Sequence, residues 1–382
     1  MAALERSASR YYRPELDAVR LLAFILVFLS HELPSDPDSR VDSVLKGFAP
    51  IVYATSKACG FGLSLFFALS AFLICELLLR ERATAGTVGV KQFYIRRILR
   101  IWPLYYLGLA IGVAVALLPG GHRVDIAYMG WFSIFMGGWY SSIHGATSNP
   151  TGPLWSISVE EQFYLLAPWI VKYLNRKLVR GFCTLVVLVA NACLYYLGKV
   201  EASDLAIWFN SFVQFECFAA GILLCLVLRG RLPRIPLWQR LIMLAGACSC
   251  WFYACYGLHV HFANYEKSPG SWPLIGGYAL AALGCVLTLV AFLGVSPRLL
   301  PGWAVYLGRI SYGLYVYHRF AAYLTGKLLI GHLASFKSPI YLLKGVLALG
   351  LTVLMAALSY RYFETPFLKM KKRHSVIESQ PV

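Results

Sequence analysis

Acidic side chains are few in this sequence, and charge of either sign is thin. Asp and Glu number 18 against 35 Lys and Arg, and charged residues make up only 14% of the 382. With 59% hydrophobic residues and a mean hydropathy of +0.63, no soluble fold has interior enough, so lipid must solvate much of the chain. CxxC pairs and metal-type spacings are absent. The ten cysteines lie mostly inside apolar runs. Cys248 and Cys250 are two apart and point to different helix faces, so the cysteines read as small packing residues. No disulfide or metal site is expected. No convincing small-residue cleavage site follows the basic start at Arg6, Arg10 and Arg13, so the first apolar segment is read as a retained span. Internal repeats and low-complexity domains are missing too. The expected organisation is a cytoplasmic tail over 1–12, one membrane domain over 13–367 and a cytoplasmic tail over 368–382, with no soluble catalytic domain attached.

What is present is a series of long apolar runs. Ten are read as spans, at about 16–33, 58–79, 101–118, 154–171, 181–198, 206–228, 240–257, 273–295, 304–326 and 340–360. The stretch 127–140 is ambiguous, and counting it as a crossing would invert every later loop. With it re-entrant or interfacial, the inside segments hold 24 Lys and Arg against seven outside: Arg40, Lys46, Arg123, Lys199, Lys267, Lys327 and Lys337. The predicted fold class is therefore an all-α polytopic membrane protein with ten transmembrane helices, both termini cytoplasmic. The net charge of +17 follows from topology and contact with anionic membrane lipids, and nucleic acid is not an expected partner.

Inside these spans sit groups that lipid penalises. Arg20 and His31 are eleven residues apart in the first span, about three helical turns and 16 Å, so they share a face at different depths. Such groups line a pathway or a reaction site, or else Arg20 snorkels and His31 merely ends the helix before Pro34. Asp17 lies three residues before Arg20 and either neutralises it or leaves it to bind an anion. Arg96, Arg97 and Arg100 precede the third span. Arg97 and Arg100 share a face, suited either to a bidentate grip on phosphate or to a plain positive-inside anchor. Ser158 and Glu161 have capping-box spacing, yet Glu160 and Glu161 are adjacent carboxylates at an apolar boundary, at the predicted level of His31. Glu76 and Arg80 read as a helix-face ion pair. Glu216 in mid-span serves a helix–helix hydrogen bond or a function. His318, among Tyr312, Tyr315 and Arg319, is a packed core histidine or a site residue. His259 and His261 are too isolated to bind metal.

Six segments in order resemble the acyltransferase 3 family of integral-membrane O-acyltransferases. They are RPELDAVRLLAFILVFLSH, SLFFALSAFLICELLLRE, FYIRRILRIWPLYY, GPLWSISVEEQFYLLAPW, LGRISYGLYVYH and SYRYFETPF. Departures at Ala71, Tyr317, Phe320 and Thr365 touch no candidate acid or base. The resemblance covers about residues 13–367 and implies transfer of an acyl group, in the first place acetyl, from cytoplasmic acyl-CoA to a hydroxyl of a sugar-containing acceptor. It implies no permanently bound cofactor, direct transfer without a fused hydrolase-like domain, and a bacterial inner membrane. On that reading His31 is the general base and Glu161, or in its place Glu160, orients or charges the imidazole. Arg97 and Arg100, with Arg20, grip the donor; Asp17, Ser158, Tyr315 and His318 support the site, with Ser158 or His31 open to a covalent acyl role. The rival class is a proton-coupled transporter or flippase. It is disfavoured because paired Gly- or Pro-broken helices are not seen in matching halves.

Overall fold

The computed structural model describes residues 11–35, 46–118, 125–261, 267–333, 339–375 and 377. Arg6, Arg10, Arg40, His122, Arg123 and Lys337 lie outside the described residues. Among the described residues the chain is helical, with one isolated β-bridge between Ser203 and Lys267. The helices are α1 (Pro14–Glu32), α2 (Ala49–Cys59), α3 (Gly62–Ala85), α4 (Val90–Leu117), α5 (Ile126–Ser133), α6 (Gly137–His144), α7 (Trp155–Tyr173) and α8 (Arg176–Lys199). Then follow α9 (Asp204–Phe209), α10 (Ser211–Leu228), α11 (Leu237–Tyr256), α12 (Ser271–Phe292), α13 (Gly302–Arg309), α14 (Ser311–Leu333), α15 (Pro339–Ser359) and α16 (Thr365–Lys372). Pro14 opens α1, where its missing N–H costs nothing, and Leu33 is extended as a residue before proline must be.

Among the described residues six segments are long and apolar enough to cross a membrane: Ala49–Ala85, Val90–Leu117, Arg176–Lys199, Ser211–Leu228, Ser271–Phe292 and Leu343–Lys372. The protein is a multi-pass, all-helical membrane protein. Four long helices, α1, α7, α11 and α14, fall outside this apolar set, and three of them, α1, α7 and α14, carry His31, Glu160, Glu161 and His318. Polar chemistry lowers their hydropathy, and burial against neighbours makes the charge tolerable. Helices approach closely where side chains vanish. Gly221 of α10 lies on the Ala68 carbonyl of α3, and Gly308 of α13 on the Asp17 carbonyl of α1, where any Cβ would collide.

Two expectations change, and the ambiguous stretch takes a defined form. The segment Lys91–Arg100, expected to precede the third span, forms the first turns of its helix α4, which begins at Val90, because nothing in KQFYIRRILR stops a helix. The stretch 127–140 forms two eight-residue helices, α5 and α6, each too short to cross. The chain past residue 367, expected as tail, is helical to Lys372 and packs on α4.

The break between α5 and α6, with Phe135 at a positive φ of 59°, frees backbone carbonyls that lipid could not satisfy. Side chains satisfy them instead. Tyr105 donates to the Phe132 carbonyl at 2.6 Å, Tyr106 to that of Ser133 at 2.9 Å, and Gln162 to that of Phe135 at 3.0 Å. Tyr105 is completely buried. Tyr105→Phe is expected to destabilise the protein by about 0.5–1.5 kcal/mol, the net worth of one hydrogen bond, because the Phe132 carbonyl keeps the Phe135 N–H at 3.0 Å. Thermal unfolding in detergent checks this, and an unchanged midpoint would show that the break does not depend on that bond.

Candidate active site

One cavity of about 160 Å³ lies between α1, α3, α4, α7 and α14. That is comparable to a cavity that accepts a benzene ring, so a slender chain fits and a nucleotide does not. Its lining includes five cations, Arg13, Arg20, Arg97, Arg100 and Lys371, and one carboxylate, Glu160. Arg20 is ion-paired to the buried Asp17, three residues earlier on α1, the first of the two roles the spacing left open. Arg97 stacks over the Phe93 and Tyr164 rings, 5.5 and 5.3 Å from their centroids, and its Nε has no hydrogen-bond partner. Arg96, on another face of α4, turns away to Glu81 at 2.7 Å and the His374 carbonyl at 2.8 Å. Of the three arginines only Arg97 and Arg100 face the cavity, as their shared helix face required.

The α7 wall is built from Ser156, Glu160 and Tyr164, spaced four apart on one stripe. Tyr164 hydrogen-bonds Glu160 and, at 2.6 Å, the Ser70 hydroxyl. Eight residues of helix separate Tyr164, beside Arg97, from Ser156, a rise of about 12 Å. There Ser156 Oγ meets the Tyr315 hydroxyl at 2.6 Å, and Tyr315 also donates to the Pro153 carbonyl at 2.9 Å.

Beyond Tyr315 stand two imidazoles. The His318 ring lies 5.5 Å from the Tyr315 ring and 5.1 Å from the His31 ring. His318 Nδ1 is 2.5 Å from the Tyr315 carbonyl and His31 Nδ1 is 3.0 Å from the Val27 carbonyl. A carbonyl only accepts, so both Nδ1 atoms carry hydrogen in the neutral rings and both Nε2 atoms hold lone pairs. His318 Nε2 accepts along the 3.4 Å line from His31 Nδ1. His31 Nε2 remains as an unengaged base. His318 is completely buried, whereas His31 is exposed.

Several candidate residues are placed differently from their sequence reading. Glu161 accepts from Trp102 Nε1 at 3.1 Å and Glu160 from Tyr164, so neither orients His31; His318 holds that position. The reason is packing. Helix α7 lies against α3, α4, α6 and α10, while α1 lies against α2, α3, α12, α13 and α14. Ser158 caps nothing, since α7 begins at Trp155; its Oγ accepts from the Gly137 N–H at 3.2 Å and Ser156 is the serine facing the cavity. The cavity lining does not include His31, so open space ends at the Ser156–Tyr315 pair and two rings separate it from that imidazole. Glu76 and Arg80 pair at 2.7 Å as read, and Glu216 is buried in α10 away from the cavity. Ser156, Tyr164 and Lys371 were not singled out. The stripe Ser156, Glu160, Tyr164 was visible in the four-residue spacing, whereas Lys371 stood in what read as part of a cytoplasmic tail.

Polar helices thus surround a cation-lined cavity, and two imidazoles lie in contact beyond the tyrosine that closes it. The chain belongs to the acyltransferase 3 family, whose acyltransferase domain model matches residues 13–361. It is similar to the peptidoglycan O-acetyltransferase OatA of Listeria monocytogenes, 25% identical over 383 residues, covering 94% of this chain and 56% of that one. A candidate O-acetyltransferase of Staphylococcus aureus is 24% identical over 380 residues, covering 94% and 58%. The O-acetyltransferase OatA of Staphylococcus aureus is 22% identical over 393 residues, covering 96% and 59%. The chain thus spans under three fifths of the length of these curated relatives. No solved structure matches it.

Proposed function

We propose that this chain is a membrane O-acyltransferase that moves an acyl group, acetyl in the first place, from acyl-CoA to a hydroxyl of a sugar-containing acceptor. The observation that carries the reading is the order of groups through the protein: cations, a narrow cavity, Tyr315, His318, His31. Family membership and O-acetyltransferase relatives support the class. A peptidoglycan-acting relative supports a glycan acceptor. Loop charge supports ten crossings with both ends inside a bacterial inner membrane, which turns the cation-lined mouth toward cytoplasmic acyl-CoA.

In this mechanism Arg97, Arg100 and Arg20 hold the phosphates at the mouth, and the pantetheine arm enters the cavity with its thioester toward Ser156 and Tyr315. The acceptor approaches His31 from the exposed side. His31 Nε2 takes the hydroxyl proton as the oxygen attacks the thioester carbonyl; the C–S bond breaks and the proton passes to the departing sulfur, giving ester and free CoA thiol. His318 Nε2, accepting from His31 Nδ1, steadies the imidazolium. Tyr315 and His318 form the partition that must yield for donor and acceptor to meet.

The test is purified protein in lipid with labelled acetyl-CoA and a sugar acceptor such as a peptidoglycan fragment. Ester product with stoichiometric free CoA is the expected outcome. Displacement of label without ester would instead mark a carrier.

A further inference from the structure

The C-terminal basic run, Lys369, Lys371, Lys372 and Arg373, reads in sequence as part of a cytoplasmic tail, but one member does something else. Lys369, Lys372 and Arg373 are exposed, whereas Lys371 is half-buried and lines the cavity beside Arg97 and Arg100. A π-helical turn at Tyr360–Glu364, where Thr365 Oγ1 returns to the Tyr360 carbonyl at 2.6 Å, resets the phase of the helix that follows. After it, Glu364, Leu368 and Lys371 stand at i, i+4 and i+7 and form one inward face. Glu364 is buried opposite Arg100 and Leu368 is buried in the packing, so Lys371 is carried inward with them. The end of this arm is tied down as well. Arg96 donates to the His374 carbonyl at 2.8 Å, and Ile377 is buried.

The consequence is electrostatic. Arg20, Arg96, Arg97 and Arg100 all act on Lys371 at Coulombic range. Among the described residues Arg97, Arg100 and Lys371 form no ion pair, while the nearby carboxylates are engaged, Glu160 by Tyr164 and Glu364 by Ser359 at 3.3 Å. A fold holds like charges together in a dry pocket at a cost, and the natural relief is a ligand carrying several negative charges in a small volume. Arginine forks and a lysine point charge together suit adjacent phosphates.

We infer that Lys371 is the fourth cation of a polyphosphate-ester cradle, so that the arm Thr365–Ser375 is a wall of the donor site rather than a tail. This rests on the acyl-CoA reading for the identity of the ligand, though not for its charge.

The experiment measures binding of CoA and, separately, of inorganic pyrophosphate by calorimetry to the full chain in phosphatidylcholine nanodiscs, where no anionic lipid competes. Lys371→Ala should weaken both by about tenfold or more, the worth of one charge-assisted contact, and Lys371→Arg should restore binding to within about twofold. Lys372→Ala, one residue on and exposed, should change neither. If the wild type binds CoA and Lys371→Ala binds it equally well, the inference is overturned and the acyl-CoA reading stands. Pyrophosphate binding that depends on Lys371, without CoA binding, would uphold the cradle and overturn the donor. A wild type that binds neither would overturn both.

Discussion

His31→Ala is expected to lower the acyl-transfer rate by about 10²–10⁴-fold while leaving donor affinity within about twofold. The magnitude is that of a positioned general base, because a sugar hydroxyl is a poor nucleophile until its proton is taken. Donor affinity should hold because His31 does not line the cavity; it meets the donor site only through His318 and Tyr315. The carbonyl bonds of Val27 and Tyr315 fix both rings with hydrogen on Nδ1, which leaves His31 Nε2 free to act. His318→Phe keeps a ring in the packed position but removes one of the two acceptors of His31 Nδ1–H, leaving the Val27 carbonyl. It should slow transfer less than His31→Ala, again with normal donor binding. Single-turnover rates beside calorimetric affinities separate the two effects. A His31→Ala protein that still esterifies its acceptor at the wild-type rate would eliminate the assigned base.

The second large effect belongs to the arginines. Arg97→Ala with Arg100→Ala should weaken acyl-CoA binding by about 10²–10⁴-fold, two charge-assisted contacts of about 1.5–3 kcal/mol each, with coupling between neighbours shifting the sum. The loss should fall on KM for the donor and leave the rate at saturating donor nearly intact, as expected for groups that bind far from the reacting carbon. Arg96→Ala is the informative contrast. Its guanidinium is spent on Glu81 at 2.7 Å, which also accepts from the Gly89 N–H at 2.9 Å. Removing it strands a buried carboxylate, and the expected loss is about 3–5 kcal/mol of stability, with donor affinity in the folded fraction falling far less than in the double variant. Equal donor affinity in the double variant and the wild type would remove the arginine grip.

How far the site was legible depended on whether it was written within one helix. Arg20 with Asp17, Arg97 with Arg100, and Glu76 with Arg80 are neighbours at three or four residues, and the structure keeps those relations. Relations between helices were not legible. Matching His31 with Glu161 by depth ignored rotation about the helix axis, and α7 turns Glu161 to Trp102 instead. Ser158 had the right spacing for a cap but lay inside its helix, because a short 3₁₀ turn at Gly152–Leu154 brings the start forward to Trp155. Lys371 was hidden because a basic run beside a membrane has a sufficient explanation in topology, and only the phase reset at Tyr360–Glu364 selects one of its members.

Length of apolar run and helical periodicity belong to the chain alone, so the sequence determined a helical, multi-pass membrane protein. Which groups meet was decided by packing: His31 and His318 are 287 residues apart and touch only because α1 and α14 are neighbours. Contacts across helices depend on crossing and rotation, set by every buried side chain at once, and no spacing within a single helix encodes them.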